Sequence, residues 1–69
     1  MEETLILKGE YIKLDQTLKV ILGMSGGEAK DRILAGEVLV NGEVDTRRGK
    51  KLREGDRVSF EDVEIFVKR

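Results

Sequence analysis

The chain has 69 residues, of which 13 are Lys or Arg and 14 are Asp or Glu, so its formal net charge is −1. This length predicts one small domain over residues 1–69, and such a chain buries only about 60% of the surface that its unfolded form exposes. The sequence contains no Cys and no His, which excludes disulfides, thiolate nucleophiles, imidazole bases and zinc sites of the usual type. A charge near zero also argues against nucleic-acid binding, which usually goes with a basic excess.

The start of the chain has no targeting pattern. Residues 1–4 are Met-Glu-Glu-Thr, without the basic start and apolar stretch of a secretory signal. The longest apolar runs, such as residues 5–7 and 20–22, have three residues, whereas a bilayer span needs about 20. We therefore expect a cytoplasmic protein with no membrane partner.

The first predicted elements are a strand and a helix. Residues 4–8 are apolar and β-prone, and Gly9 ends or bends this strand. From residue 14 the apolar spacing becomes i, i+4, i+7 and i+8, which places these side chains on one face of a helix. That face consists of Leu14, Leu18, Ile21 and Leu22. Gly23 is well placed to end the helix.

A second helix begins with a capping pattern. The Ser25 hydroxyl is expected to accept a hydrogen bond from the third amide of the helix, and the Glu28 side chain to reach back to the N-cap. Ala29 and Ile33 then share the core-facing stripe, and Gly36 ends the helix. An anion site at these first amides is the alternative, but the cap already occupies them.

The rest of the chain predicts strands. Asn41-Gly42 is a strong hairpin signal, and a two-residue turn there pairs Val40 with Glu43 and Leu39 with Val44. Both faces of this hairpin carry apolar residues, so the pattern leaves the buried face open. Residues 58–60 and 63–67 form a final strand pair, and a turn at Gly55-Asp56 precedes it. The predicted fold class is α+β, with two short N-terminal helices packed on a small, mostly antiparallel sheet.

Positive charge is concentrated in residues 47–57, which we call the basic segment. It holds six cationic and two acidic side chains, a net charge of +4, whereas the other 58 residues hold seven and twelve, a net charge of −5. Because salt screens charges beyond about 8 Å, a local cluster attracts phosphates even where distant acids cancel the total. The alternative is a solvated surface with no partner, which is what most charge runs are.

Catalysis is not indicated. Ser25, Ser59 and the three Thr have no evident base beside them, the carboxylates are scattered, and the glycines form no nucleotide-phosphate loop. A core this small also leaves little room for a dry pocket. We therefore predict no enzyme, no cofactor, no metal site and no small-molecule substrate.

The order of motifs resembles the RNA-binding domain of the ribosomal protein S-four type, also called the alpha-L RNA-binding motif. The resemblance covers about residues 11–60 and extends to short bacterial members that consist of this domain alone. The matching residues are Lys13-Leu14-Asp15, Leu18, Ser25, Ala29-Lys30, Ile33, Gly36, Val38, Val40-Asn41-Gly42 and Gly55-Asp56. Residues 44–51 are also similar to a stretch in the short members.

The resemblance implies that basic residues on the helices and the following β-loop face structured RNA. The predicted RNA-binding residues are Lys13, Lys30, Arg47, Arg48, Lys50, Lys51 and Arg53. Many members carry Arg directly after the Ser that starts the second helix, and here that position is Gly26. The basic segment would therefore contribute more to binding.

The expected function is non-catalytic binding of ribosomal or transfer RNA, or of the whole ribosome, in ribosome assembly or translation. Tyr11, Phe60 and Phe66 are the only aromatic residues, so we expect contacts to phosphates and RNA shape rather than base stacking. One alternative is a protein-interaction module that docks its basic loop on an acidic partner. A weaker one is a regulatory fragment of an enzyme complex.

Overall fold

The computed structural model describes residues 1–69 and contains two helices beside a five-stranded sheet and a two-stranded ribbon. The helices are α1 (Leu14–Leu22) and α2 (Gly26–Leu34). The strands are β1 (Glu2–Ile6), β2 (Ile12–Lys13), β3 (Val38–Val40), β4 (Glu43–Val44), β5 (Lys51–Leu52), β6 (Arg57–Phe60) and β7 (Val63–Lys68). This confirms the predicted α+β class.

The larger sheet has the order β1-β7-β6-β3-β4. Its first pair, β1 with β7, is parallel, and the other three pairs are antiparallel. The first strand was predicted at residues 4–8, but it begins at Glu2 and ends at Ile6 because its partner β7 sets its length. The hydrogen bond from the Leu7 amide to the Lys68 carbonyl, 2.7 Å long, continues this pairing by one residue.

Both helices end and begin where the sequence predicts. Gly23 adopts φ +71° after α1 and its amide binds the Lys19 carbonyl, a left-handed conformation that costs glycine nothing. At α2 the Ser25 hydroxyl accepts a 3.1 Å hydrogen bond from the Glu28 amide. The Glu28 carboxylate accepts no reciprocal hydrogen bond, so only half of the predicted capping box is present.

The hairpin register is the predicted one, with Val40 opposite Glu43 and Leu39 opposite Val44. Asn41 and Gly42 both have positive φ, +52° and +86°, as a type I′ turn requires. The Asn41 side chain joins this turn to the next one, since its amide donates to Asp56 and its oxygen accepts from the Arg57 amide, both at 3.0 Å.

The core lies between the helices and one face of the sheet. Of the two hairpin faces left open by the sequence, the one that carries Val38 and Val40 is buried, whereas Val44 is exposed. The buried apolar residues are Leu5, Leu7, Leu14, Leu18, Ala29, Ile33, Val38, Val40, Leu52, Val58, Phe60, Ile65 and Val67. Neither helix combines the length and the apolar character that a bilayer crossing requires.

Candidate nucleic-acid interface

The basic segment is attached to the first turn of α1 by main-chain hydrogen bonds. The first amides of a helix have no hydrogen-bond acceptor inside the helix. The side chain of the N-cap residue, Lys13, does not accept a bond from any of them. Here the Leu14 amide donates to the Lys50 carbonyl at 2.8 Å, and the Asp15 amide donates to the Arg48 carbonyl at 3.0 Å. The loop therefore caps the helix, and the helix fixes the backbone that carries the cations.

A short ribbon, β2 with β5, adds a second attachment. Ile12 lies opposite Leu52 and Lys13 opposite Lys51. Leu52 is fully buried, and because side chains alternate along a strand, its neighbour Lys51 points away from the core. Lys13 is 38 positions away from Lys51 in sequence, and the ribbon places its exposed side chain beside the cations of the basic segment. Together they form one group of cationic side chains.

Two concavities lie along this group. One, of about 400 Å³, is lined by the basic side chains of Arg47, Lys50, Lys51 and Arg53 together with Gly49, and no apolar residue lines it. The other, of about 360 Å³, lies beside the hairpin turn and is lined by Val40, Asn41, Glu43, Val44, Asp45, Thr46, Arg47 and Lys50. The basic lining of the first cavity suits a phosphate-bearing ligand better than an apolar one, whereas the second also carries the carboxylates of Glu43 and Asp45.

Most of the predicted cations have no acidic partner. The three ion pairs of the structure are Arg32–Glu37, Arg47–Asp45 and Arg57–Glu64. Of the seven predicted residues, only Arg47 takes part in one of them. The other six are Lys13, Lys30, Arg48, Lys50, Lys51 and Arg53. No carboxylate within the protein therefore neutralises their positive charge, which can attract an anion.

Lys30 stands apart from the others. It is exposed on α2, and it forms no hydrogen bond or ion pair with the basic segment. The Lys19 side chain, which is not among the predicted RNA-binding residues, has its ammonium 3.9 Å from the point where a Cβ would lie at Gly26. The Lys19 ammonium therefore lies beside Gly26, the position at which many members of the family that this sequence resembles carry Arg. Its signal in the sequence is weak, because Lys19 belongs to the polar face of α1 and meets Gly26 only through the packing of the helices.

Asp45 is a second residue of this region that is not among the predicted ones. Its carboxylate accepts from the Arg47 side chain at 3.0 Å (Nε) and 2.8 Å (Nη2), and from the Arg47 main-chain amide at 2.9 Å. These bonds from Arg47, the side-chain ones foremost, hold the pKa of Asp45 below its usual value, and the same pairing raises the pKa of Arg47. The acceptance of an amide two residues ahead is the Asx-turn pattern, so this contact had a local signal.

Because Asp45 pairs with Arg47, we expect it to oppose anion binding at this guanidinium. In an Asp45→Asn variant the amide oxygen can still accept from the Arg47 amide, while the negative charge is lost and the Arg47 guanidinium is released. We expect RNA to bind about twofold to tenfold more tightly at low salt, with a salt dependence steeper by up to about 0.9, the contribution of one phosphate contact. Filter binding or fluorescence anisotropy over a salt series measures both quantities.

Acid titration of the folded protein gives an independent check on the same pair. Because the folded pKa of Asp45 is depressed, its contribution to stability is complete above the unfolded value near 3.9 and is lost as the pH falls through the folded value. The wild type should therefore lose part of its stability below about pH 4 in a step that is missing from Asp45→Asn. Unchanged RNA binding by this variant would contradict the inhibitory role.

Comparisons with known proteins agree with this fold. The family model of the S4 domain, which is the S-four domain named above, matches residues 5–68. A relative from Bacillus subtilis (strain 168), named "Probable ribosome maturation protein RlbA", is 41% identical over 66 residues, which are 96% of this chain and 86% of that protein. The crystal structure of a pseudouridylate synthase superposes with a TM-score of 0.70 and 25% identity; the match covers 74% of this chain but 22% of the synthase. On the match over residues 5–68, this chain belongs to the S4 domain family.

Proposed function

We propose that this protein is a non-catalytic RNA-binding protein that recognises structured RNA, ribosomal or transfer RNA, in ribosome assembly or translation. The observation that carries the proposal is the group of exposed cations without acidic partners, held on a fixed backbone at the start of α1. The relative named as a probable ribosome maturation protein supports a ribosome-related role, and with it a cytoplasmic location.

The proposed contacts are mainly to backbone phosphates. The residues we assign to them are Lys13, Lys30, Arg47, Arg48, Lys50, Lys51 and Arg53. Of the three aromatic residues, Phe60 is buried and Phe66 is half-buried in the sheet, so neither offers a platform for stacked bases. Recognition through phosphates and the shape of a folded RNA requires no such platform.

The acidic residues are expected to orient the protein on RNA. Outside the basic segment the net charge is −5, and acids repel phosphates over the same short range in which cations attract them. A surface with one cationic region therefore approaches RNA in a restricted set of orientations. This also explains how a chain with a net charge of −1 can bind a polyanion.

Crosslinking in cells, followed by sequencing of the bound RNA, tests the proposal. We expect ribosomal or transfer RNA to be enriched at defined positions over the level given by an unrelated acidic protein of similar size. A second experiment, pull-down from lysate with and without ribonuclease, addresses the alternative of an acidic protein partner. Protein partners that persist after RNA digestion, without RNA enrichment in cells, would overturn RNA binding in favour of protein docking.

A further inference from the structure

The β2–β5 ribbon presents one aromatic and three cationic side chains on its outer face. Continuing the antiparallel register of Ile12 with Leu52 by one residue places Tyr11 opposite Arg53. Because side chains alternate, the buried Leu52 directs both of its neighbours, Lys51 and Arg53, outward. The outward set is Tyr11, Lys13, Lys51 and Arg53, and all four residues are exposed.

The Tyr11 ring holds two of these cations. The Lys51 ammonium lies 4.9 Å from the ring centroid, and the Arg53 guanidinium carbon lies 5.6 Å from it. Both distances are within the range of about 6 Å at which the negative face of an aromatic ring attracts a cation. One ring thus draws two like charges together.

This arrangement is unfavourable for the free protein. Like charges directly opposite each other on paired strands destabilise a sheet, and Lys13 lies opposite Lys51. No carboxylate forms an ion pair with Lys13, Lys51 or Arg53. The ring attracts two of these cations, and an anion bound on this face would relieve the repulsion that remains.

We propose that Tyr11 is a positioning residue of the RNA interface, whose ring holds the Lys51 ammonium and the Arg53 guanidinium, with Lys13 alongside, as a seat for one backbone phosphate of RNA. The inference rests on the proposed function and adds to it the place where one phosphate binds. The ammonium groups supply compact charges, and the guanidinium supplies paired N–H donors that match phosphate oxygens. The pre-set position of the cations reduces the side-chain ordering that binding would otherwise require.

Two variants separate the ring's electrostatic role from its bulk. Tyr11→Phe keeps the aromatic face and removes only the hydroxyl, whereas Tyr11→Leu keeps an apolar side chain without that face. Since Tyr11 is 41% exposed, both variants should fold with melting temperatures close to that of the wild type. The structural readout is the NMR shift of the Lys51 ε-methylene and Arg53 δ-methylene protons in the free protein. We expect upfield ring-current shifts in the wild type and Tyr11→Phe, and their loss in Tyr11→Leu.

The functional readout is the affinity for a fluorescently labelled RNA hairpin over a salt series. Tyr11→Phe should bind within about twofold of the wild type, and Tyr11→Leu should bind about threefold to tenfold more weakly, because the two cations are then no longer ordered before binding. Wild-type affinity in Tyr11→Leu, or absence of the ring-current shifts in the wild type, would overturn the inference. Failure of the wild type itself to bind RNA would overturn the proposed function. The ring-current shifts are measured without RNA, so they still show in that case whether the ring holds the two cations.

Discussion

RNA binding is expected to lose most of its salt dependence when Arg47, Arg48, Lys50 and Lys51 are all replaced by alanine. Each phosphate contact contributes about 0.7 to 0.9 to the slope of log affinity against log salt, so four lost contacts lower the slope by about 3. Affinity near 100 mM salt should fall on the order of 100-fold. Arg47 should contribute least to this loss, because Asp45 already pairs with it.

The fold should survive these four substitutions. The bonds that attach the basic segment to α1 use the carbonyls of Arg48 and Lys50, and alanine retains both. None of the four side chains is buried in the core. Circular dichroism and thermal unfolding of the quadruple variant should therefore resemble those of the wild type, which separates a loss of binding from a loss of structure.

A matched quadruple variant tests whether position or total charge matters. Lys8, Arg32, Lys68 and Arg69 are exposed cations outside the basic segment, and their replacement by alanine changes the net charge by the same amount. We expect the slope to change by less than about 1 in this control. Equal losses in the two variants would show that net charge alone governs binding, and an unchanged slope in the first would contradict the site assignment.

The parts of the fold that the sequence predicted correctly are specified by neighbouring residues. The spacing of Leu14 and Leu18, the Ser25 cap and the positive-φ pair Asn41-Gly42 are local signals, and each appears in the structure as predicted. The register of the hairpin follows from its turn length alone. Such elements need no knowledge of the rest of the chain.

The missed parts join residues that are far apart in sequence. The pairing of β1 with β7 links Glu2 to Glu64, and the ribbon links Ile12 to Leu52. A strand of two residues, such as β5, has no periodicity that could predict it. The capping of α1 by main-chain carbonyls of the basic segment could not be predicted for the same reason. An N-cap is recognisable in a sequence when a side chain provides the acceptor, and here none does.

For the candidate site, the cationic residues could be predicted from the sequence, but most contacts among their side chains could not. The local excess of cations in residues 47–57 is visible by counting, and Lys13 entered through the family resemblance. The contact of Tyr11 with Lys51 and Arg53 depends on the ribbon and therefore had no signal within one segment. The pairing of Asp45 with Arg47 reduces the free charge that counting alone assigns to the segment.

Leu52→Ala is expected to cause the largest loss of stability among simple changes near the site. The Leu52 side chain is fully buried, and truncation of such a leucine costs about 2 to 5 kcal/mol through lost burial and a residual cavity. A 69-residue protein has a total stability of only about 3 to 10 kcal/mol. The melting temperature should therefore fall by at least about 10 °C, as measured by calorimetry or circular dichroism.

The matched control is Leu34→Ala, the same substitution at a side chain that is 56% exposed on α2. It should change the free energy of unfolding by less than about 0.5 kcal/mol. Leu52 also lies between Lys51 and Arg53 and anchors the strand that directs both outward. At a temperature where Leu52→Ala is still folded, its RNA affinity should thus be several-fold weaker, with Leu34→Ala unchanged. Full RNA affinity in folded Leu52→Ala would show that the cations bind RNA without the outward orientation that the ribbon gives them.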